Sequence, residues 1–452
     1  MKTPAPTRAA LRAAEIQPFV VMDVLARAHR LETAGRRVIH MEIGEPDFTA
    51  PPPVVEAAMR ALRDGRSAYT PTLGLPELRQ AIAGDYRRRF GVRVADSRIA
   101  VTAGASGGLL LLLALYVDPG DEMLVPDPGY PGYRHMVRAF EGMARPLPLS
   151  ARTNFQPTLE MVRAAWRPRT RGLILGSPSN PTGTLIAAAE LERIARFVSE
   201  RRGVLIVDEI YQGLVYGDRP ASALGLPGEV AVVNSFSKYF CMTGWRLGWV
   251  ALPDSARMRE LEKLAQHLFI CAPSVAQHAA LACFSDETLA ILEGRRREFQ
   301  RRRDFLVPAL ERAGFSVPAK PSGAFYVYAG CPGPRPDGRR FALGLLDREG
   351  VAATPGLDFG AHGTRGFVRF AYTRDLAELE AAAARLQRYC GGLRPRAAAP
   401  LPAARGARAR PGPWPRTARS ARRTPRRTSA APSRSRRSAA GTRAGSGRRP
   451  RY

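Results

Sequence analysis

Short apolar runs that end abruptly in small or charged residues recur along the first two thirds of the chain. Segments with helical spacing follow them, a pattern typical of parallel strands in βαβ units. Four such runs are Arg98–Thr102, Leu173–Leu175, Val204–Val207 and Ala231–Val233. The pattern predicts an α/β architecture. Because ligands collect at the carboxyl ends of strands in open parallel sheets, the polar residues after these runs are the first candidates for chemistry.

A different pattern follows between about residue 287 and residue 372. A long charged helix is predicted over Glu287–Ala313, and the segments Ala324–Tyr328 and Phe367–Tyr372 alternate between apolar and polar positions. These features predict a second, α+β domain. We interpret the clusters Arg295–Arg297 and Arg301–Arg303 as solvated faces of the helix.

The charge of the chain is concentrated at its C-terminal end. The whole sequence has 69 Lys plus Arg against 40 Asp plus Glu, a net charge of +29. Leu393–Tyr452 contains 18 arginines and no lysine or acidic residue, which leaves 51 basic and 40 acidic side chains elsewhere. This tail is too poor in large apolar groups to offset the entropy of folding, so we expect disorder.

Two hypotheses account for the basic tail. Its arginines could bind nucleic acid by releasing counterions from phosphates. The alternative is an unselected extension, such as an out-of-frame reading of a GC-rich gene, and the avoidance of Lys, Asp and Glu favours it. We therefore do not expect nucleic acid as a partner.

Composition excludes several other classes of protein. The five cysteines are an odd number without a Cys-x-x-Cys pair, which argues against a disulfide framework or zinc ribbon. The six histidines are scattered, and no metal site is expected. The apolar stretch Leu109–Val117 is far shorter than the roughly 20 residues of a membrane span, and Met1–Val20 lacks the apolar centre of a signal peptide. We expect a cytoplasmic protein without a membrane partner.

Lys238 is the first candidate for chemistry, because only four of the 69 basic residues are lysines. It closes the motif Ser235–Lys238 directly after the apolar run Val230–Val233, and Arg246 follows eight positions later. An amine beside hydroxyl and guanidinium donors suits a carbonyl cofactor that also carries phosphate.

Asp208 ends another apolar run, and a buried carboxylate there requires a cationic partner. A protonated pyridine nitrogen is such a partner, and the pair keeps the ring able to accept electrons. Asn180 and Tyr211 could donate hydrogen bonds to the phenolic oxygen of the same ring. The small residues of Thr102–Gly108 lead into a helix that we expect to begin near Leu109, and amides at a helix N-terminus bind phosphate.

Taken together, three motifs make the chain similar to a known family. They are Ser-Pro-Ser-Asn-Pro-Thr-Gly at Ser177–Gly183, Asp-Glu-Ile-Tyr at Asp208–Tyr211, and Ser-Phe-Ser-Lys at Ser235–Lys238, which runs on to Arg246. From about residue 38 to residue 389, the chain resembles the class I and II aminotransferases, which depend on pyridoxal 5′-phosphate and have the aspartate-aminotransferase fold.

The resemblance implies a large domain with a mostly parallel seven-stranded sheet in a three-layer α/β/α sandwich, and a smaller α+β domain. We expect an N-terminal arm and part of the small domain over residues 1–41. The large cofactor-binding domain is expected over residues 42–285 and the small C-terminal domain over residues 286–390. The basic tail then covers residues 391–452.

The resemblance also implies a role for each candidate residue. Lys238 would form the internal aldimine and act as the general acid and base, and Asp208 would pair with the pyridine nitrogen. Asn180 and Tyr211 would bind the phenolic oxygen, and Tyr130 would stack on the ring. The residues implied around the phosphate are Gly104, Ala105, Ser106, Ser235, Ser237, Arg246 and, from a neighbouring subunit of a homodimer, Tyr69. The residues implied around the substrate α-carboxylate are Arg369, Gly44 and Asn180.

The implied activity is transfer of an amino group between an L-amino acid and a 2-oxo acid by a ping-pong mechanism. A lyase or cyclopropane-forming synthase that uses the same cofactor and fold is the alternative. A transcriptional regulator built on this fold is disfavoured, because about 37 residues before the resemblance are too few for a DNA-binding module and linker. The sequence leaves the identity of the amino acid open.

Overall fold

Helices and strands alternate through most of the chain in the computed structural model, which describes residues 8–217, 221–334 and 336–393. The strands of these residues are β1 (Ile39–His40), β2 (Ile99–Thr102), β3 (Glu122–Asp127), β4 (Met143–Pro148), β5 (Thr170–Gly176), β6 (Val204–Asp208), β7 (Val230–Ser235), β8 (Gly248–Ala251), β9 (Tyr326–Gly330), β10 (Val351–Ala352), β11 (Thr354–Pro355) and β12 (Phe367–Ala371). The α-helices are α1 (Leu11–Glu15), α2 (Val21–Thr33), α3 (Pro52–Arg63), α4 (Pro76–Phe90), α5 (Gly104–Tyr116), α6 (Pro131–Ala139), α7 (Leu159–Ala165), α8 (Ala188–Glu200), α9 (Ser255–Leu268), α10 (Ser274–Ala280), α11 (Asp286–Arg312), α12 (Gly338–Glu349) and α13 (Leu376–Gly391).

A seven-stranded sheet has the spatial order β2-β8-β7-β6-β5-β3-β4. Neighbours from β7 to β4 pair in parallel, whereas β8 is antiparallel to both β7 and β2. The mostly parallel sheet is thereby confirmed. One prediction is wrong. The run Arg98–Thr102 was expected to be a parallel strand, but it contains β2, which pairs with β8 in an antiparallel ladder. Strand β8 lies between β2 and the parallel strand β7.

Both faces of this sheet are covered by helices. Leu173 and Leu175 of β5 pack in one hydrophobic cluster with Ile194 of α8. Ile174, between them in sequence, packs in another cluster with Leu112 of α5. Because side chains alternate between the faces of a strand, the two clusters lie on opposite sides of the sheet and form the expected three-layer sandwich.

A second, antiparallel sheet of order β11-β12-β9 lies in the later part of the chain. A short parallel pair joins β1 to β10, so residues near the N-terminus contact the C-terminal elements. These strands, together with α11, α12 and α13, form the α+β part of the molecule. The expected boundaries at residues 41/42 and 285/286 stay predictions.

In the second arginine cluster of α11, Arg301 is exposed as expected, but Arg302 and Arg303 are buried, contrary to the expectation. Arg302 is 3% exposed and Arg303 is 8% exposed. Arg302 donates to both carboxylate oxygens of Asp47, at 2.8 and 2.9 Å, and to Glu298 at 3.0 Å. Burial is tolerated because these carboxylates compensate the charge.

Most of the predicted tail lies outside the described residues, which end at Leu393. Helix α13 extends to Gly391 at the start of that range, and Cys390 on it is buried. Within the described part of the chain, no helix combines the length and apolar character needed to cross a membrane.

Candidate active site

One cavity of about 340 Å³ lies at the carboxyl ends of β5, β6 and β7 and brings most of the candidate residues together. The candidates that line it are Gly44, Ala105, Ser106, Tyr130, Asn180, Asp208, Tyr211, Ser235, Ser237, Lys238, Arg246 and Arg369. Its size falls within the range of small-molecule sites.

Lys238 follows the end of β7, and its amine is buried in the cavity. Its Nζ donates to the carbonyl oxygen of Gly44 at 2.6 Å. Burial lowers the pKa of Lys238 to about 8, Arg369 and Arg246 act in the same direction, and Glu45 opposes them. The neutral, nucleophilic form of this amine is therefore far more accessible near neutral pH than that of an exposed lysine.

Asp208 is the last residue of β6 and is buried. Its Oδ2 accepts a hydrogen bond from the Tyr133 hydroxyl at 2.8 Å, and its Oδ1 accepts one from the amide of Ile210 at 3.0 Å. Burial raises the pKa of Asp208 to about 6, while both hydrogen bonds and the charge of Lys238 act to lower it. A cation brought against this carboxylate would favour its ionised form further.

Helix α5 begins at Gly104, five residues before the expected start near Leu109. Glycine permits the φ of +73° with which the chain enters this helix. Ala105 and Ser106 consequently lie in the first helical turn rather than in a preceding loop. The free amides of that turn face the region where a phosphate would be bound.

Hydroxyl and guanidinium groups surround the same region. Ser235 Oγ donates to Ser237 Oγ at 2.9 Å, and Arg246 Nη1 donates to the Thr243 carbonyl oxygen at 2.8 Å. A Cβ at Gly104 would come within 2.6 Å of Arg246 Nη2, so any side chain there would displace the guanidinium from its place beside the cavity. Gly104 itself lies beside the cavity rather than lining it.

Arg369 of β12 lies on the opposite wall of the cavity. Its Nη1 donates to Asn180 Oδ1 at 2.9 Å, and its Nη2 donates to the carbonyl oxygen of Glu42 at 2.6 Å. Its Nε is buried and has no hydrogen-bond partner among the residues described. The guanidinium carbon lies 4.2 Å from the ring centroid of Tyr326 and 4.9 Å from that of Phe359. A planar donor held in this way is suited to a carboxylate.

Two tyrosines that the sequence singled out contact other aromatic residues in the site. The hydroxyl of Tyr211 lies 2.8 Å from that of Tyr326, and burial raises the pKa of Tyr211 well above its ordinary value. The ring of Tyr130 is stacked with that of Phe19 at a centroid distance of 6.4 Å. Burial raises the pKa of Tyr130 to about 12, so both hydroxyls stay protonated at neutral pH.

Like Gly104, the candidate Tyr69 does not line the cavity of its own chain. Its side chain is 80% exposed. Any role in this site therefore requires a second subunit.

Several residues of the site were missed by the sequence analysis. They are Phe19, Val21, Leu109, Pro131, Tyr133, Pro178, Ile210, Tyr326, Asp358 and Phe359. Tyr133 could have been found, since it is three positions after Tyr130 and thus one helical turn away at the start of α6. Phe19 and Val21 come from an N-terminal segment whose sequence contains no comparable signal.

The side chains present fit pyridoxal phosphate. Asp208 supplies a buried carboxylate for the ring nitrogen, and Lys238 supplies an amine for the aldehyde. The first turn of α5, the serine hydroxyls and Arg246 supply phosphate ligands, and glycine at position 104 allows close approach. The negative charge of Asp208 would thus meet the ring nitrogen, and the positive charge of Arg246 would meet the phosphate.

Comparison with known proteins shows the family of the chain. A family model for aminotransferase class I and II matches residues 36–386. The valine–pyruvate aminotransferase of Mycobacterium tuberculosis is 40% identical over 382 residues, which cover 84% of this chain and 97% of that protein. The aspartate/prephenate aminotransferase of Thermus thermophilus is 36% identical over 383 residues, which cover 84% of this chain and 98% of that protein.

A solved structure of an aminotransferase from Mycobacterium tuberculosis superposes with a TM-score of 0.81 at 38% identity, over 86% of this chain and all of that one. The fold, the motifs and the relatives agree on one chemistry, and the lyase alternative gains no support from these relatives. The chain belongs to the class I and II aminotransferase family and is a pyridoxal-phosphate-dependent aminotransferase.

Proposed function

We propose that Lys238 both anchors the cofactor and moves the substrate proton. The observation that carries this proposal is the buried Nζ, held 2.6 Å from the Gly44 carbonyl oxygen in the cavity that Asp208 and Arg369 also line. Its lowered pKa, about 8, supports a role as a base when neutral and as an acid when protonated. When neutral, the Lys238 Nζ would take up the proton that the substrate α-carbon loses, and when protonated it would give that proton back.

Asp208 acts on the other end of the ring in this proposal. When bound, pyridoxal phosphate supplies a protonated pyridine ring that accepts the electrons left by the departing α-proton. Asp208 holds the proton on the ring nitrogen, and Tyr133 holds Asp208 in place through its hydrogen bond of 2.8 Å. Asn180 and Tyr211 orient the ring by donating to its phenolic oxygen, and Tyr130 packs on its face.

Arg369 binds the α-carboxylate of both substrates in this proposal. Its unpartnered, buried Nε and its fixed Nη1 and Nη2 support that role, since the guanidinium is already oriented before the substrate arrives. The amide oxygen of Asn180 and the backbone at Gly44 complete this side of the site. Both the amino acid donor and the 2-oxo acid acceptor carry the carboxylate that this arrangement recognises.

A homodimer completes the phosphate site in this proposal, and Tyr69 is the residue that crosses between subunits. Its 80% exposure outside its own cavity supports a role toward another subunit. Helix α3 presents Val55, Met59 and Leu62 at 38%, 45% and 59% exposure. These residues recur with helical spacing, so they form one exposed apolar face that a second subunit could cover.

We also propose that the amino acid donor has an uncharged side chain. Within the described residues, the cations that line the cavity are Lys238, Arg246 and Arg369, and each already has a role. Apart from the polar residues already given roles, the lining is apolar or aromatic, with the carboxylate of Asp358 among it, so an acidic side chain would find no free cation in this lining. The name of the valine–pyruvate relative is consistent with this substrate class.

We also propose a cytoplasmic location. Cys241, Cys271, Cys283 and Cys331 are free thiols, and three of these four are buried. Free thiols are usual in a reducing compartment.

Absorbance spectroscopy of the cofactor-loaded enzyme tests this function. We expect valine or another apolar amino acid to convert the aldehyde-type spectrum to the amine-type spectrum, and pyruvate to reverse the change. Aspartate should convert it much more slowly. Irreversible release of ammonia without a need for a 2-oxo acid would instead indicate a lyase. A stronger response to aspartate than to valine would contradict the proposed substrate class.

A further inference from the structure

Four acidic and basic side chains form a continuous row from the surface to the active site. His29 Nδ1 lies 3.1 Å from Glu32 Oε2, Glu32 Oε1 lies 2.9 Å from His40 Nε2, and His40 Nδ1 lies 2.7 Å from Glu42 Oε1. The side chain of His29 is 67% exposed, whereas that of His40 is 13% exposed and that of Glu42 is fully buried. We call these four residues the acid–base row. None of them lines the cavity.

The buried end of the acid–base row is directly joined to the substrate side of the site. The carbonyl oxygen of Glu42 accepts hydrogen bonds from Arg369 Nη2 at 2.6 Å and from Thr354 Oγ1 at 2.9 Å. Two residues further along, the Gly44 carbonyl accepts the hydrogen bond from Lys238. The segment from residue 42 to residue 44 therefore orients both the guanidinium and the amine of the site.

The position of this segment depends on a buried charge. Among the described residues, His40 is the hydrogen-bond partner of the Glu42 carboxylate, whose Oε2 has none. A buried carboxylate without its cationic partner is strongly unfavourable in the interior, and movement of the side chain toward water would relieve that cost. Such a movement would pull on the backbone of Glu42 and displace the carbonyl that Arg369 contacts.

The surroundings of His40 keep it charged. The hydrogen bond to Glu42 is the main cause that raises the pKa of His40, to about 9, and Glu32 adds to it while burial opposes it. The other ionisable groups that face His40 are the ring of His29, at a centroid distance of 6.4 Å, and Arg374, whose Nε donates to the His40 carbonyl oxygen at 3.0 Å. The ion pair with Glu42 is therefore intact at neutral pH.

We propose that His40 and Glu42 are positioning residues for substrate binding, and that their ion pair holds the Glu42 carbonyl in the place where it orients Arg369. This inference rests on the proposed role of Arg369 as the ligand of the α-carboxylate. It assigns a function to two residues that touch neither substrate nor cofactor. Because every substrate carries the same carboxylate, the effect of the pair is independent of the substrate side chain.

The variant His40→Gln tests the proposal in the cofactor-loaded enzyme, with His29→Gln as the matched control. His40→Gln should raise KM for the amino acid and for the 2-oxo acid by about tenfold each, with kcat changed less than about twofold, as for the weakening of one buried polar interaction. His29→Gln removes an imidazole from the exposed end of the same row and should leave both constants unchanged. A lower kcat with unchanged KM, or equal effects of the two variants, would overturn the proposal.

Binding of butyrate, an unreactive monocarboxylate, provides a readout independent of turnover. Calorimetry should give a Kd about tenfold higher for His40→Gln than for the wild-type enzyme at pH 7.5. The wild-type Kd should rise as the pH passes through about 9, where His40 loses its proton, and the variant should lack this rise. A wild-type Kd that stays constant to pH 10 would overturn the proposal, even if the variant fails to fold.

The variant Arg369→Gln separates this inference from the proposed function. If Arg369→Gln leaves butyrate binding unchanged, the role of Arg369 is wrong and the inference fails with it. If Arg369→Gln abolishes butyrate binding and His40→Gln has no effect, the inference alone fails.

Discussion

The hydroxyl of Tyr133 donates a 2.8 Å hydrogen bond to Oδ2 of Asp208 inside the core. Tyr133 belongs to α6 and Asp208 ends β6, so the contact joins a helix to the edge of the sheet at which the cofactor ring would lie. A hydrogen bond to the ionised form of a buried carboxyl lowers its pKa and opposes the effect of burial. Tyr133 thereby favours the ionised form of Asp208, which the proposed role at the ring nitrogen requires.

Replacing Tyr133 with Phe should weaken catalysis without disturbing the packing of the ring. The pKa of Asp208 should rise because one of its two donors is lost, so the acid limb of kcat/KM against pH should move to higher pH. Loss of a hydrogen bond to a charged group predicts a fall of about 10- to 100-fold in kcat/KM at pH 7. Steady-state kinetics over pH 5–9 measure both effects.

Tyr116→Phe is the matched control for that experiment. Tyr116 also donates to a carboxylate, Glu229, at 2.6 Å, but it lies away from the cavity. This variant should leave the acid limb in place. An acid limb that is unmoved in Tyr133→Phe would show that Tyr133 does not support Asp208.

The lowered pKa of Lys238 predicts how the cofactor-free protein takes up pyridoxal phosphate. The uptake rate should increase as the pH rises through about 8, because the neutral amine is the reactive form. An ordinary lysine would give such an increase only above about pH 10. Stopped-flow absorbance measures the rate. Lys263→Ala is the control, because Lys263 is exposed and lies outside the cavity, and this variant should take up the cofactor at the wild-type rate. In Lys238→Ala, transamination should be abolished.

Gly104→Ala should impair binding of the cofactor phosphate. A Cβ there would lie 2.6 Å from Arg246 Nη2, and the φ of +73° disfavours any residue with a side chain. We expect the Kd for pyridoxal phosphate to increase at least about tenfold, equivalent to about 1.4 kcal/mol. Fluorescence titration measures it.

Gly84→Ala provides the comparison for Gly104→Ala. It adds the same methyl group to an exposed position of α4 that has open space around it. Cofactor affinity should not change, and the protein should be up to about 1 kcal/mol more stable because alanine favours the helix. Equal cofactor affinity in the two variants would rule out the proposed close approach at Gly104.

Complementation between two inactive or weakened variants tests whether Tyr69 acts across a dimer interface. Tyr69→Phe should lower cofactor affinity, and Lys238→Ala should lack activity. A mixed dimer of the two then contains one site with an intact lysine and an intact tyrosine. Activity at limiting pyridoxal phosphate should therefore rise when the variants are refolded together, and no rise is expected if Tyr69 serves its own subunit.

Removal of the tail tests the expectation that it has no part in catalysis. The resemblance to the family ends at about residue 389, but helix α13 continues to Gly391 and Cys390 is buried. The better truncation therefore ends at Leu393. We expect unchanged kcat and KM for this variant, and an unchanged affinity for duplex DNA would show that the arginines have no role there either.

The central candidate residues that the sequence identified share one property: they lie at the ends of strands in local motifs. Asp208 ends β6, Lys238 and Asn180 come shortly after β7 and β5, and the carboxyl ends of parallel strands meet at one edge of the sheet. Their convergence could thus be predicted from local sequence and from the resemblance of their motifs to a known family. The same argument predicted the seven-stranded sheet.

Contacts between distant elements could not be predicted in this way. Tyr133 and Asp208 are 75 positions apart, Tyr211 and Tyr326 are 115 apart, and Arg369 and the Glu42 carbonyl are 327 apart. No periodicity links such pairs, because packing of separate elements brings them together. The burial of Arg302 was misjudged for the same reason, since its carboxylate partner Asp47 lies 255 positions away.

The sequence by itself therefore determined the mostly parallel sheet, the positions proposed for the lysine anchor and for the ring-nitrogen carboxylate, and the arginine-rich tail, all of which are encoded in local patterns, motifs or composition. Only the tertiary structure decided which side chains support them, among them Tyr133 behind Asp208 and the pair His40 and Glu42 behind Arg369. The physical reason is that hydrogen bonding and desolvation depend on distances in space, and residues remote in sequence acquire those distances only when the elements pack.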